Sequence, residues 1–213
     1  MNNSGPKPVN PNTIKRLLSN ESLRKLELFV ELLARWRNVT NLISENGFDN
    51  VWERHILDSV NLQLLFPLYR HWLDIGSGAG FPGIVLGILL SDDEYTQIHC
   101  VESDSRKCAF LRLVAQELRL PVKIHNKRAD EISLASVGKV EVVTARAFSS
   151  IESILRLSEG YMLAGAALVL PRGKTSTRAV EALDPRRYMW AVDANPLSVG
   201  GMFVQIRLQA RRA

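Results

Sequence analysis

Little in this chain of 213 residues can be cross-linked, ligate a metal or enter a membrane. Two cysteines, Cys100 and Cys108, are too few for the disulfide framework of a secreted domain, and no Cys/His cluster has zinc-ligand spacing. Aromatic residues make up only 7% of the chain, and histidines number four. No apolar run approaches the ~20 residues that a membrane-spanning helix needs. The stretch from Met1 to Asn12 is polar, contains Pro6, Pro8 and Pro11, and lacks the apolar core of a secretory signal. An excess of one charge is also small, at 27 Lys and Arg against 22 Asp and Glu, a net +5. What is there is a 46% hydrophobic chain with 23% charged residues, which excludes wholesale disorder. About 200 residues bury a sizeable core. A cytoplasmic protein of one large domain, or one with a small extension, is expected.

The charge is unevenly spread. Residues 1–70 carry 9 basic and 7 acidic side chains, residues 71–120 carry 4 and 7, and residues 121–213 carry 14 and 8. Chance scatter over a solvated surface is the bland account. The sharper one is a small-molecule site inside a basic rim that grips a polyanion. Hydrophobic periodicity divides the chain in the same way. Residues 1–12 read as a flexible arm, and residues 13–70 as a helical cap. Leu23, Leu26, Val30 and Leu33 predict a helix from Asn20, with Phe29, Leu32 and Trp36 widening its stripe. Thr40 to Asn50 is polar, with Gly47 as a breaker, and a second helix is predicted from about Asn50 to Leu65. From residue 71 strands and helices alternate. Strands are predicted at Trp72–Ile75, Gln97–Val101, Val122–His125, Val140–Thr144, Ala166–Leu170, Tyr188–Val192 and Phe203–Leu208. Helices are predicted at Ile84–Leu90, Ser105–Leu118 and Ile151–Leu163. This alternation predicts an α/β domain over residues 71–213, a doubly wound, mostly parallel sheet.

The informative stretch is Asp74-Ile75-Gly76-Ser77-Gly78-Ala79-Gly80-Phe81-Pro82-Gly83, which follows a strand and opens a helix. Gly78-x-Gly80-x-x-Gly83 matches the dinucleotide fingerprint, while Gly76-x-Gly78-x-Gly80 preceded by Asp74 matches the first motif of S-adenosylmethionine-dependent methyltransferases. A pyrophosphate wants bare N–H groups at a helix N-terminus and no carboxylate nearby. A ligand with an ammonium and a sulfonium tolerates Asp74. Asp74 could equally serve the loop's own amides. Glu102, at the end of the next strand, can accept both hydroxyls of a ribose, which either cofactor carries.

The loop Gly76-Ser77-Gly78-Ala79-Gly80-Phe81-Pro82-Gly83-Ile84 resembles the signature of the RsmG (GidB) family. The likeness extends upstream to Trp36, Asn41-Leu42-Ile43-Ser44 and Arg54-His55-Ile56-Leu57-Asp58-Ser59. Downstream it takes in Glu102-Ser103-Asp104-Ser105-Arg106-Lys107, Arg128-Ala129-Asp130-Glu131 and Val142-Val143-Thr144-Ala145-Arg146-Ala147. Leu170-Pro171-Arg172-Gly173-Lys174 sits where the family usually has Leu-Lys-Gly, and Arg37 stands where it commonly has Asn. The match runs from about residue 20 to 175. The resemblance implies a Rossmann-like methyltransferase that uses S-adenosyl-L-methionine to methylate N7 of a guanine in 16S ribosomal RNA, free or in the small ribosomal subunit. It implies cofactor contacts at Gly76, Gly78, Phe81, Glu102, Ala129, Asp130 and Arg146. It also implies RNA contacts at Arg54 and His55. Arg172 and Lys174, with Lys127, Arg128 and Arg178, are candidates for phosphate.

Each of these residues has a plainer reading. Phe81 can be a core residue under the loop, Asp130 can cap a short turn, and Arg146 can pair with Asp74 or Asp130. Guanine N7 has a lone pair and no proton, so in-line transfer needs no general base, and no catalytic acid–base constellation is expected. Two other classes compete. A nicotinamide-dependent oxidoreductase would need a substrate-side acid or base, for which His55 is the one attractive histidine. An RNA-binding module would keep only a vestigial nucleoside pocket. A monomer is expected, since no long apolar stripe is left over. The ~70-residue cap and ~140-residue sheet leave no room for a separate RNA-binding domain.

Overall fold

The computed structural model describes residues 17–37, 39–146, 150–173, 178–195 and 201–209, so the expected arm at 1–12 lies outside the described residues. The N-terminal region is helical. Ser19 accepts a hydrogen bond from the Ser22 amide and caps α1 (Asn20–Trp36), which buries Leu26, Phe29 and Leu33. The polar Thr40–Asn50 segment contains a short helix, α2 (Glu45–Asp49), capped by Ser44. The second expected helix begins as a π-helical turn, Trp52–Ile56, and continues as α3 (Leu57–Leu65).

Strands and helices then alternate as β1 (His71–Ile75), α4 (Gly83–Leu89), β2 (Gln97–Glu102), α5 (Ser105–Glu117) and β3 (Val122–Asn126). A 3-10 turn (Ala129–Glu131), α6 (Leu134–Val137), β4 (Val142–Thr144) and α7 (Ile151–Leu163) follow. The chain continues through β5 (Ala167–Gly173), α8 (Arg178–Glu181), β6 (Tyr188–Ala194) and β7 (Gly201–Leu208). Asp104 caps α5 by accepting from the amides of Arg106 and Lys107. Pro82 is the N-cap residue of α4.

Among the described residues seven strands form one sheet in the order β3-β2-β1-β4-β5-β7-β6. Pairs among β1 to β5 are parallel, and β7 runs antiparallel between β5 and β6. Alternation along the strands sends Leu73, Ile75, Val101 and Val143 to one face, where α7 packs through Ile151, Ile154 and Tyr161. Trp72, Ile98, Cys100 and Val142 face the other way, toward Leu62 of α3 and Leu86 of α4. On that side α1 shares a core with α4 and α5. The Phe29 ring lies 5.3 Å from that of Phe81 and 6.3 Å from that of Phe110. Strand order reverses between β1 and β4, and ligands of open α/β sheets collect at the carboxyl ends of strands flanking such a point. The Asp74↔Thr144 register brings the glycine loop and Arg146 to the same level there.

Candidate functional site

The loop after β1 is built on its own backbone. The amides of Gly76 and Ser77 donate to the Val101 carbonyl at 2.9 and 3.0 Å, and the Gly80 amide donates to Ser77 O at 2.8 Å. Gly76, Gly78 and Gly80 all have positive φ. At Gly80, with φ +99°, a Cβ would also stand 2.6 Å from Ile84 Cγ1, so no other residue fits this turn.

Two carboxylates organise the loop. Asp74 is fully buried, and its Oδ2 accepts from the Gly83 amide at 3.1 Å. Burial pushes its carboxyl up to about 7, against the downward pull of Ser77, the Gly83 amide and Arg146. Its Oδ1 is buried with no hydrogen-bond partner. Glu102 Oε2 accepts from the Gly78 amide and Oε1 from the Asp104 amide, each at 2.9 Å. A carboxylate offers about four acceptor positions, so Glu102 retains capacity for two hydroxyls.

Beside the loop opens a cleft of about 470 Å³, within the ~300–1,000 Å³ usual for small-molecule sites. Gly76, Glu102, Ala129 and Asp130 line it, four of the residues expected to hold a cofactor. Lys127 and Arg128 line it as well, and Arg128 pairs with Asp130 at 3.5 Å. Asp130 does not cap the 3-10 turn; Glu131 accepts from the Arg128 amide there. Arg156 and Leu157 of α7 complete the wall. Sequence reasoning missed both, because nothing in the sequence separates Arg156 from any other solvated arginine on an amphipathic helix.

Phe81 turns away from the cleft. Its side chain is buried between Phe29 and the His55 ring, which stacks on it at 4.9 Å. The core reading of Phe81 therefore describes its ring. The Arg146 guanidinium lies 6.0 Å above the same ring. Arg146 Nη2 donates to the Arg54 carbonyl at 3.1 Å and pairs with Asp58 at 3.6 Å. Its ion-pair partner is thus Asp58, in place of the expected Asp74 or Asp130. Burial lowers the Arg146 pKa, while Asp58 and Asp74 hold it up.

Of the expected RNA contacts, Arg54 is exposed and His55 is half-buried on the π-helical turn. Burial, then Arg146, then Arg54 hold the His55 ring down to about 3. A ring that stays neutral has one N–H to donate to a phosphate and no charge to offer it. Arg172 and Arg178 enter through their backbones, in β5 and α8, and Lys174 lies outside the described residues.

The arrangement suits a nucleoside that carries a cation. Glu102 has room for a ribose, and the unpartnered Oδ1 of Asp74 suits a cation near the loop. A pyrophosphate fits poorly, because the amide that opens α4 is already bonded to Asp74. Among the described residues no group of His, Cys, Asp and Glu is arranged to hold a metal.

The model of the GidB family, described as rRNA small subunit methyltransferase G, matches residues 22–200. The ribosomal RNA small subunit methyltransferase G of Caulobacter vibrioides is 36% identical over 194 residues, covering 91% of this chain and 88% of that protein. The enzyme of that name from Paramagnetospirillum magneticum is 36% identical over 202 residues, covering 91% and 92%. Among solved structures, a SAM-dependent methyltransferase from Aquifex aeolicus superposes with a TM-score of 0.56 at 16% identity, covering 74% of this chain and 92% of that one. That last likeness concerns the fold.

Proposed function

We propose, from the premise that this chain belongs to the GidB family (rRNA small subunit methyltransferase G), that it transfers a methyl group from S-adenosyl-L-methionine to N7 of a guanine in small-subunit ribosomal RNA. The observation that carries the choice of cofactor is the pair of carboxylates at the strand ends. The unpartnered Oδ1 of Asp74 suits the ammonium, and the spare acceptor capacity of Glu102 suits the ribose hydroxyls. Gly76 and Gly78 and the backbone of Phe81 would border the methionine part, and Ala129 and Asp130 the adenine. Arg146, across the switch point, would close the methionine end.

The cofactor supplies an electrophilic methyl on a sulfonium. The attacking N7 has its lone pair available, so the protein's task is to hold donor and acceptor in line and exclude water. Positive charge passes to the base during transfer, and Asp58 and Asp74 are the carboxylates placed near the Arg146 end to offset it.

The substrate end is assigned to the basic rim. Arg54 and His55, with Lys127, Arg128, Arg172 and Lys174, would meet 16S ribosomal RNA, either free or within the small ribosomal subunit. Residues 13–70 would form the cap over this end, and 71–213 the methyltransferase domain. The site of action would be the cytoplasm; among the described residues no helix is long and apolar enough to cross a membrane. The protein would act as a monomer, a reading supported by the edge strand β3, whose exposed Lys123 discourages strand pairing between copies.

The test is methyl transfer from labelled S-adenosylmethionine to hypomethylated small subunits, with naked RNA in parallel. Transfer to a guanine N7 that disappears in Gly76→Asp, together with cofactor binding by calorimetry, is the expected result. Retained activity in Gly76→Asp would remove the loop from the site.

A further inference from the structure

Arg54, Asp58 and Asn61 recur at i, i+4 and i+7 through the π-helical turn and α3, so they lie on one helix face. This face meets two distant parts of the chain. Asn61 Nδ2 donates to Asn195 Oδ1 at 2.6 Å, and Asn195 Nδ2 donates to Asp58 Oδ1 at 2.8 Å. Asn61 and Asn195 are both buried. Asp58 Oδ2 faces Arg146 Nη2 at 3.6 Å, and the same Nη2 donates to the Arg54 carbonyl. Asn195, just past β6, is itself fixed by its amide, which donates to the Gly201 carbonyl at 2.9 Å. A continuous polar chain therefore runs Asn61–Asn195–Asp58–Arg146–Arg54. It joins the cap helix, the hairpin β6–β7 and the end of β4.

We propose that Asp58, anchored by Asn195, is a positioning residue for methyl transfer that fixes and neutralises Arg146 over the Phe81 ring of the cofactor loop. The proposal rests on the function given above. Arg146 has Arg54 and His55 as neighbours, and its Nη1 is buried without a partner. Without Asp58 that guanidinium would be held by one carbonyl and would present an uncompensated cation. The cofactor brings a sulfonium to this end, and the methylated base leaves it positive. An unneutralised arginine would oppose both. The Asn195 amide holds Asp58 Oδ1 while Arg146 faces Oδ2, so the carboxylate keeps its orientation without relying on the ion pair.

Charge and hydrogen bonding can be separated at this carboxylate. Asp58→Asn keeps an oxygen for the Asn195 amide and removes the charge that faces Arg146. With full-length protein and hypomethylated small subunits, Asp58→Asn is expected to lower kcat by roughly tenfold to a hundredfold, the range seen when a residue orienting a functional side chain is removed. Its melting temperature is expected to fall as well, since the guanidinium loses its counter-charge, so kcat is referred to the folded fraction. In an Arg146→Gln background the same substitution is expected to change kcat by no more than about twofold, because Asp58 acts through Arg146. Asn195→Ala, which spares the ion pair, is expected to give a smaller loss that also vanishes in the Arg146→Gln background; it carries the test if Asp58→Asn fails to fold. Calorimetry with S-adenosylmethionine gives a second readout, with weaker binding expected in Asp58→Asn. A wild-type rate in Asp58→Asn, or equal losses with and without Arg146, would overturn the positioning role alone. A wild-type chain that binds cofactor but transfers no methyl would overturn the proposed function, and the role with it.

Discussion

Asp74 concentrates the competing demands on this fold in one side chain. Its ordinary pKa of 3.8 is raised to about 7 by burial. Between those values the folded chain holds a proton that the unfolded chain has released. Stability linked to neutral Asp74 is therefore complete below pH 3.8, declines as pH rises toward 7, and is flat above. Asp74→Asn removes the ionisation and leaves an oxygen for the Gly83 amide. Melting temperature of the cofactor-free variant should exceed that of the wild type at pH 8 and match it more closely at pH 5. The same substitution should weaken S-adenosylmethionine binding roughly tenfold or more in calorimetry, since the ammonium would no longer meet a charged acceptor. Equal binding by the variant would take Asp74 away from the ammonium. Stability and ligand affinity then move in opposite directions at one residue.

At the scale of elements, α1 and the glycine loop meet through rings. Phe29 is fully buried against Phe81 and Phe110, and Trp36 lies 5.8 Å from Phe110. Phe29→Ala should cost about 3–5 kcal/mol by urea denaturation. Because Phe81 lies within the loop, cofactor affinity should fall with it. On the other face of the sheet, His99 of β2 and His125 of β3 stack with Nδ1 and Nε2 2.8 Å apart. Burial, then His125, Lys123 and His71, push His99 down to about 4 from 6.5. That contribution is intact above pH 6.5 and is lost as pH falls toward 4. Solvent around the pair screens part of the effect, so about 1 kcal/mol should disappear between pH 7 and pH 5. His99→Leu should flatten this part of the pH–stability curve.

The long elements were legible because their side chains repeat. The stripe of Leu26, Phe29 and Leu33, the predicted strand Trp72–Ile75 and the predicted span Ile151–Leu163 all agree with the structure. Four short helical pieces were not: α2, the Ala129–Glu131 turn, α6 and α8 have five, three, four and four residues, too few to show a period. The loop and Glu102 could be read because the chemistry is local. Asn195 could not, since it meets Asn61 across 134 residues of sequence. The partner of Arg146 was misread for the same reason: Asp58 lies in a different element, and no spacing connects the two.

The whole molecule sets a weakly acidic stretch between basic ones, residues 71–120 having 4 basic and 7 acidic side chains. The structure adds that Lys127 and Arg128 line the cleft that residues of this acidic stretch also wall. Replacing both by Gln should lower the slope of log K against log salt for RNA by up to about 0.7 for each phosphate no longer neutralised. An unchanged slope would place the RNA elsewhere on the surface.

Strand order carries a consequence in time. Among the described residues strand β6 pairs within the sheet only through β7, which is made after it yet lies between it and β5. During synthesis β6 must wait unpaired, and Asn195 waits with it, until residues 201–208 emerge and slot into place. Arg146 is complete about 60 residues earlier, roughly 3–12 seconds at ~5–20 residues per second. A ribosome therefore finishes the cofactor loop well before it finishes the clamp on Arg146. Once Leu157 is made, the nascent chain holds every residue that lines the nucleoside cleft and still lacks the side chain that anchors Asp58.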